Sequence, residues 1–122
     1  MTLFSELLRS LREQAGLTQR GLARRLSVPQ SYIWKLENAA KTPPSVAQIR
    51  RIVSALGLGE GEIARLVTSA RESRSYIKLQ PGARPETISL MNRLAVASAH
   101  LRESEIRALK ALVTNLDQSL VA

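Results

Sequence analysis

Between residues 29 and 38 the chain sets a hydroxyl (Ser31), an amine (Lys35) and an amide (Asn38) along one side of a helix drawn through them, with a second amide (Gln30) at its start. At about 100° per residue, Ile33, Leu36 and the stem of Glu37 fall on the opposite side. Trp34, the single tryptophan, stands on the polar flank. An apolar face that anchors a helix, opposite a face of donors and acceptors, suits reading the edges of bases in a major groove. Other chemistry finds little footing. There is no cysteine, so no thiolate nucleophile, disulfide or cysteine metal site is expected. The one histidine, His100, has no paired carboxylates near it, and Glu103 and Glu105 lie two apart on a helix and so point in different directions. No glycine-rich phosphate loop is present. The sequence therefore implies no catalytic residue, no metal and no cofactor, and a chain that is not an enzyme.

A helix that presents such a face must be held by others. Upstream, Thr18 is placed to cap a helix whose Leu22, Ala23 and Leu26 share a face. Ser27-Val28 forms the turn, and Pro29 suits the first turn of the next helix, where its missing N–H has no partner to lose. Before these, a helix from about Thr2 to Gln14 turns Phe4, Leu8 and Leu11 inward and stops at Gly16. After them, Lys41-Thr42-Pro43-Pro44 reads as a loop and Ser45 as the cap of a fourth helix. Its Val46, Ile49, Ile52, Val53 and Leu56 form a stripe closed by Gly57. A fifth helix from about Glu60 buries Ile63, Leu66 and Val67.

Residues 3 to 67 resemble the lambda-repressor-like, or Cro/XRE-type, helix-turn-helix family of bacterial and phage regulators. The likeness is carried by LRSLREQAGLTQ, then LARRLSVPQSYIWKLENAAKTPP, then the Val46–Leu56 helix, Gly57 and a fifth helical segment. Its strength lies in order: "GLTQ", "LA", V-x-Q-S-x-I at the start of the recognition helix, "LEN" and a following proline. Two residues depart from the family pattern. Ser27 stands where the family usually has glycine, which asks it to adopt a left-handed conformation at about 1 kcal/mol. Ala39, after Asn38, also replaces a usual glycine.

The resemblance implies an all-α fold with a five-helix DNA-binding domain over residues 1–72. It also implies site residues. Gln19 bonds a phosphate at the start of the second helix, Thr18 caps or does the same, and Arg20 is the best phosphate candidate among the arginines. Gln30 and Ser31 reach bases first, and Lys35 reaches guanine or a phosphate. Asn38, Lys41 and Thr42 meet the DNA backbone, Tyr32 bonds a phosphate or packs at the helix edge, and Trp34 contacts thymine methyls or folds back over the protein. Arg12 and Glu37 match a partly buried ion pair joining the first helix to the recognition helix, and are read as structural. Arg9, Arg24 and Arg25 form a basic fringe, read as mostly solvated.

Charge divides the chain. Residues 1–85 hold 14 Lys and Arg against 6 Asp and Glu, whereas residues 86–122 hold 4 against 4, so the whole net charge of +8 lies in the first part. A basic part beside a neutral one suggests that one meets a polyanion and the other meets protein. Residues 73–85 (SRSYIKLQPGARP) read as a linker of net charge +3. Residues 86–122 contain neither proline nor glycine, and their apolar stripe runs through Ile88, Met91, Leu94, Ala95, Leu101, Ile106, Leu109, Leu112, Val113, Leu116 and Leu120. The phase slips near Leu101–Ser104, which favours two helices breaking near Arg102 over one continuous helix. A lone helical hairpin of this size cannot bury both faces, so the stripe either packs on its own helix-turn-helix domain or, as is expected here, pairs with the same segment of a second chain.

The primary expectation is a homodimeric repressor on a palindromic double-stranded DNA operator. The alternative is a helix-turn-helix antitoxin that binds a toxin and represses its own operon; a toxin or an anti-repressor is thus a possible protein partner. A third reading, an interaction module that no longer binds DNA, sits poorly with the local positive charge. No apolar run approaches the roughly 18 residues that cross a bilayer and no signal-peptide pattern begins the chain, so a cytoplasmic protein of bacterial, phage or mobile-element origin, on the nucleoid when bound to DNA, is expected.

Overall fold

A computed structural model describes residues 1–121. It is helical throughout, with seven α-helices and no strand among the described residues. The chain divides into two units, Met1–Ile77 and Lys78–Ala122.

The first unit holds α1 (Leu3–Gln14), α2 (Gln19–Leu26), α3 (Gln30–Glu37), α4 (Val46–Ala55) and α5 (Glu60–Glu72). Three of these helices, α1, α2 and α4, begin where the local sequence supplies a side-chain cap. Thr2 and Ser5 close a reciprocal capping box on α1, with Ser5 N donating to Thr2 Oγ1 at 3.2 Å and Thr2 N to Ser5 Oγ at 2.8 Å. Thr18 caps α2 by accepting from Gly21 N at 2.9 Å, and Ser45 caps α4 by accepting from Gln48 N at 3.3 Å. α1 ends at Gly16, whose φ of +72° only glycine adopts without strain. α1 packs on α3 and α5, α2 on α3 and α4, and α4 on α5.

The core between them is aliphatic apart from Phe4. Phe4, Leu8 and Leu11 of α1 meet Leu22, Ala23 and Leu26 of α2, Ile33 and Leu36 of α3, Ile49, Ile52 and Val53 of α4 with Leu56 just after it, and Leu66 and Ala70 of α5. Three details differ from the sequence reading. Val46 is exposed, because it stands at the first position of α4, short of the stretch that α2 and α5 cover. On α5 only Leu66 of the expected trio is fully buried; Ile63 and Val67 are half-buried, and Ser69 and Ala70 complete the inner face. α3 starts at Gln30, with Pro29 outside it as the N-cap.

α1 and α5 are also tied at their ends. Ser73 Oγ donates to Ser69 O at 2.6 Å and accepts from Phe4 N at 2.9 Å, one of the amides that a first helical turn leaves without an internal partner.

The second unit holds α6 (Pro85–Ala97), a turn of 3-10 helix at Ser98–His100, and α7 (Glu103–Val121). Pro85 occupies the first turn of α6. Two helices form, not one: Leu101 takes an extended conformation (φ −68°, ψ 131°), and Glu105 Oε1 accepts from Arg102 N at 2.9 Å to start α7. The pair does not close as a hairpin, since α6 and α7 do not lie along one another. No side chain from Arg71 to Leu120 is buried. Of the stripe, Met91, Leu94, Leu101 and Leu109 are half-buried, while Ile88, Ile106, Leu112, Val113 and Leu116 are exposed, Leu116 at 63%.

Candidate nucleic-acid interface

The α2–turn–α3 unit positions the polar face. Ser27 takes the left-handed conformation (φ 56°, ψ 43°) that the absent glycine requires of it. Val28 N then donates back to Ala23 O at 3.0 Å, which reverses the chain into α3. Ala39, at φ 54°, does the same after α3, where Ala40 N donates to Lys35 O at 2.9 Å. Two non-glycine residues therefore hold left-handed backbone, one at each end of α3, at about 1 kcal/mol each.

On α3, Ile33, Leu36 and Glu37 are fully buried, and Gln30, Ser31, Trp34 and Lys35 are exposed, Trp34 at 51%. Thr18 and Arg20 are exposed at the start of α2, and Lys41 and Thr42 in the loop after α3. Asn38 is half-buried, with its amide Nδ2 donating to Trp34 O at 2.8 Å, and so closes the end of α3. Tyr32 is half-buried and packs against the core. Among the described residues this surface offers amides, hydroxyls and cations, the groups that contact base edges and phosphates.

Beneath it lies one carboxylate. Glu37 has no exposed surface. Arg12 meets it with two hydrogen bonds, Nε to Oε2 at 2.7 Å and Nη2 to Oε1 at 2.9 Å, while Arg12 Nη1 donates to Leu17 O at 2.8 Å. The hydrogen bond to Glu37 holds the Arg12 guanidinium above its usual pKa, against the opposing effect of burial. Gln19 Nε2 donates to Glu37 Oε1 at 3.2 Å, so one amide hydrogen of this residue is turned inward to the carboxylate. Arg9, read as solvated fringe, also reaches Glu37: Nε lies 3.5 Å from Oε1, and Nη2 donates to the Glu37 carbonyl at 3.4 Å. One carboxylate thus joins α1, α2 and α3.

Arg25 is likewise more than fringe. Its Nη1 donates to Ala55 O at 2.8 Å, and Arg51 Nη2 donates to Leu26 O at 3.1 Å. Each of α2 and α4 thereby supplies an arginine to the last carbonyls of the other, a favourable place for a cation at a helix C-terminus. Periodicity could not reveal these bonds, because their partners lie 25 to 30 residues apart in the chain. Arg20 enters no ion pair among the described residues. The residues of the apolar stripe from Ile88 to Leu116 belong to the other unit and form no part of this surface.

Among the described residues no group of His, Cys, Asp or Glu is arranged to hold a metal, and no helix is long and apolar enough to cross a membrane. No curated protein and no solved structure matches the chain. Residues 3–66 match the family model described as a helix-turn-helix domain, which takes in α1 to α4 and the first half of α5. That span is more than half of the 122 residues, and with its DNA-binding architecture the chain belongs to the helix-turn-helix domain family.

Proposed function

We propose that this protein is a homodimeric transcription regulator, a Cro/XRE-type repressor that lays α3 in the major groove of a palindromic operator. The observation that carries the reading is the division of α3. Ile33, Leu36 and Glu37 are wholly buried, so Gln30, Ser31 and Lys35 are presented outward on a helix that cannot rotate. Gln30 suits adenine, Ser31 tolerates several bases, and Lys35 suits guanine or a phosphate. Thr18, Gln19 and Arg20 at the start of α2, and Asn38, Lys41 and Thr42 at the end of α3, meet the phosphates on either side, with Tyr32 and Trp34 at the flanks.

The dimer is supported by the second unit. From residue 86 onward its charges balance, four basic against four acidic, and its helices leave Leu112, Val113 and Leu116 open to water. A paired copy covers those side chains and sets two α3 helices on two half-sites about one turn of DNA apart. The same open face would also suit a toxin, as an antitoxin reading requires; the mass of the purified protein in solution separates the two, since the repressor reading requires a dimer without help.

The decisive experiment selects bound sequences from a random pool of duplexes and then measures Gln30→Ala on the selected site and on random duplex. Loss of about 1–3 kcal/mol on the selected site, with little change on random DNA, supports base reading by Gln30. Equal losses on both would confine Gln30 to the backbone.

A further inference from the structure

Beside the loop that follows α3 lies an open groove of about 700 Å³, formed within the first unit. Lys41 and Thr42, after α3, and Arg74, Ser75 and Tyr76, just past the end of α5, line it over an apolar floor that includes Phe4 and Leu36. No acidic side chain lines it. Neither Lys41 nor Arg74 enters an ion pair among the described residues, and both are exposed. Two uncompensated cations with hydroxyls around them have the chemistry of a phosphate site. The sequence extends the pattern, because no acidic residue occurs between Glu72 and Glu86, while Arg74, Lys78 and Arg84 all fall there.

The segment is held in place at its root. Ser73 bridges Ser69 O and Phe4 N, so the chain leaving α5 is fixed against the start of α1 before it reaches Arg74. Tyr76 is 89% exposed, a large aromatic that the core does not use.

We infer that Arg74, with Ser75 and Tyr76, is a second point of attachment to the sugar–phosphate backbone of duplex DNA. It takes the phosphates next to those met by Lys41 and Thr42, so that the chain leaving α5 lengthens the footprint of each half-site. This inference rests on the DNA-binding reading proposed above. It adds to that reading an attachment outside the helix-turn-helix span, and one blind to sequence, because groups that meet phosphates position a protein without specifying bases.

The test compares Arg74→Ala with the unaltered chain and with Gln30→Ala, on the selected site and on random duplex, across a salt series. Arg74 makes no bond to the core, and circular dichroism verifies that the variant is folded. Each phosphate that the protein ceases to neutralise lowers the slope of log affinity against log salt by about 0.9. A dimer loses one such contact from each protomer, so the ratio of affinities at about 50 and 200 mM salt should shrink about 12-fold for Arg74→Ala, equally on both duplexes. Protection of the duplex should also shorten at the edge of each half-site. An unchanged slope and footprint in Arg74→Ala, beside normal DNA binding by the unaltered chain, overturns this inference and leaves the α3 reading intact. Failure of the unaltered chain to bind any duplex overturns both.

Discussion

Arg12→Met isolates the role of the buried carboxylate. The methionine keeps the apolar stem but removes three of the hydrogen bonds made by Arg12, two of them to Glu37. Glu37 would then sit without exposed surface, answered only by Gln19 at 3.2 Å and by Arg9 at 3.5 Å. Stranding one member of a buried pair costs about 3–5 kcal/mol. Arg9, whose side chain is 37% exposed, returns no more than about 1 kcal/mol of that. The net loss should be about 3 kcal/mol, or some 12–24 °C in Tm for a unit of this size. Glu37→Gln added to Arg12→Met removes the stranded charge, so the double variant should be more stable than Arg12→Met alone. Trp34 fluorescence is a suitable signal in urea and thermal unfolding at fixed protein concentration, because the only tryptophan lies in the first unit. No pH dependence should arise from Arg12. Its pKa is raised, so its contribution is complete below the ordinary arginine value and is lost only in strong alkali. A loss under about 1 kcal/mol, or a double variant no better than the single, would refute the view that Glu37 is a charge dependent on Arg12.

Ser27→Gly should raise stability by up to about 1 kcal/mol, since it relieves left-handed strain at the turn before α3; a fall in Tm would show that the strain is absent. The hydrogen bond from the Arg102 backbone, with a lesser one from its side chain, lowers the pKa of Glu105, so support for the first turn of α7 is present above the ordinary value of 4.5 and fades as pH falls through the lowered one. Circular dichroism should show helix lost on acidification below about pH 4.5, with that dependence weakened in Glu105→Gln. Cutting the chain after Ile77 keeps the Ser73 bridge to α1 and should leave a folded monomer that binds one half-site weakly, whereas the full chain sediments as a dimer and binds far more tightly. A monomeric full chain would move the dimer interface off the second unit.

The helices of the first unit were legible because their signals are local. Thr18 and Ser45 announce caps, Gly16 announces a stop, and the spacing of Phe4, Leu8 and Leu11 announces a face. Even the strained turn could be read, from a serine standing where glycine is usual. What escaped depends on distance in the chain. Arg9 and Arg25 look like any surface arginine until the fold brings them to Glu37 and Ala55. Gln19 is equally unremarkable as a partner of a carboxylate 18 residues away. Val46 shows the opposite failure: its period is right, but periodicity cannot tell where the neighbouring helices end. In the second unit the phase slip near Leu101 marked the break, yet nothing in the pattern foretold that α6 and α7 would stay apart.

The open faces of α6 and α7 have a consequence for dose. With no side chain of this unit from Lys78 to Leu120 sealed from water, the order of its helices and the pairing of two chains are a single equilibrium under the proposed dimerisation. When the protein is scarce, dimer rises with the square of total chain, so operator occupancy would respond steeply to small changes in synthesis or dilution at cell division. A freshly made chain would be a weak regulator, and only accumulated protein an effective one. Timing would then reside in the same leucines and valines that leave the second unit unfinished alone.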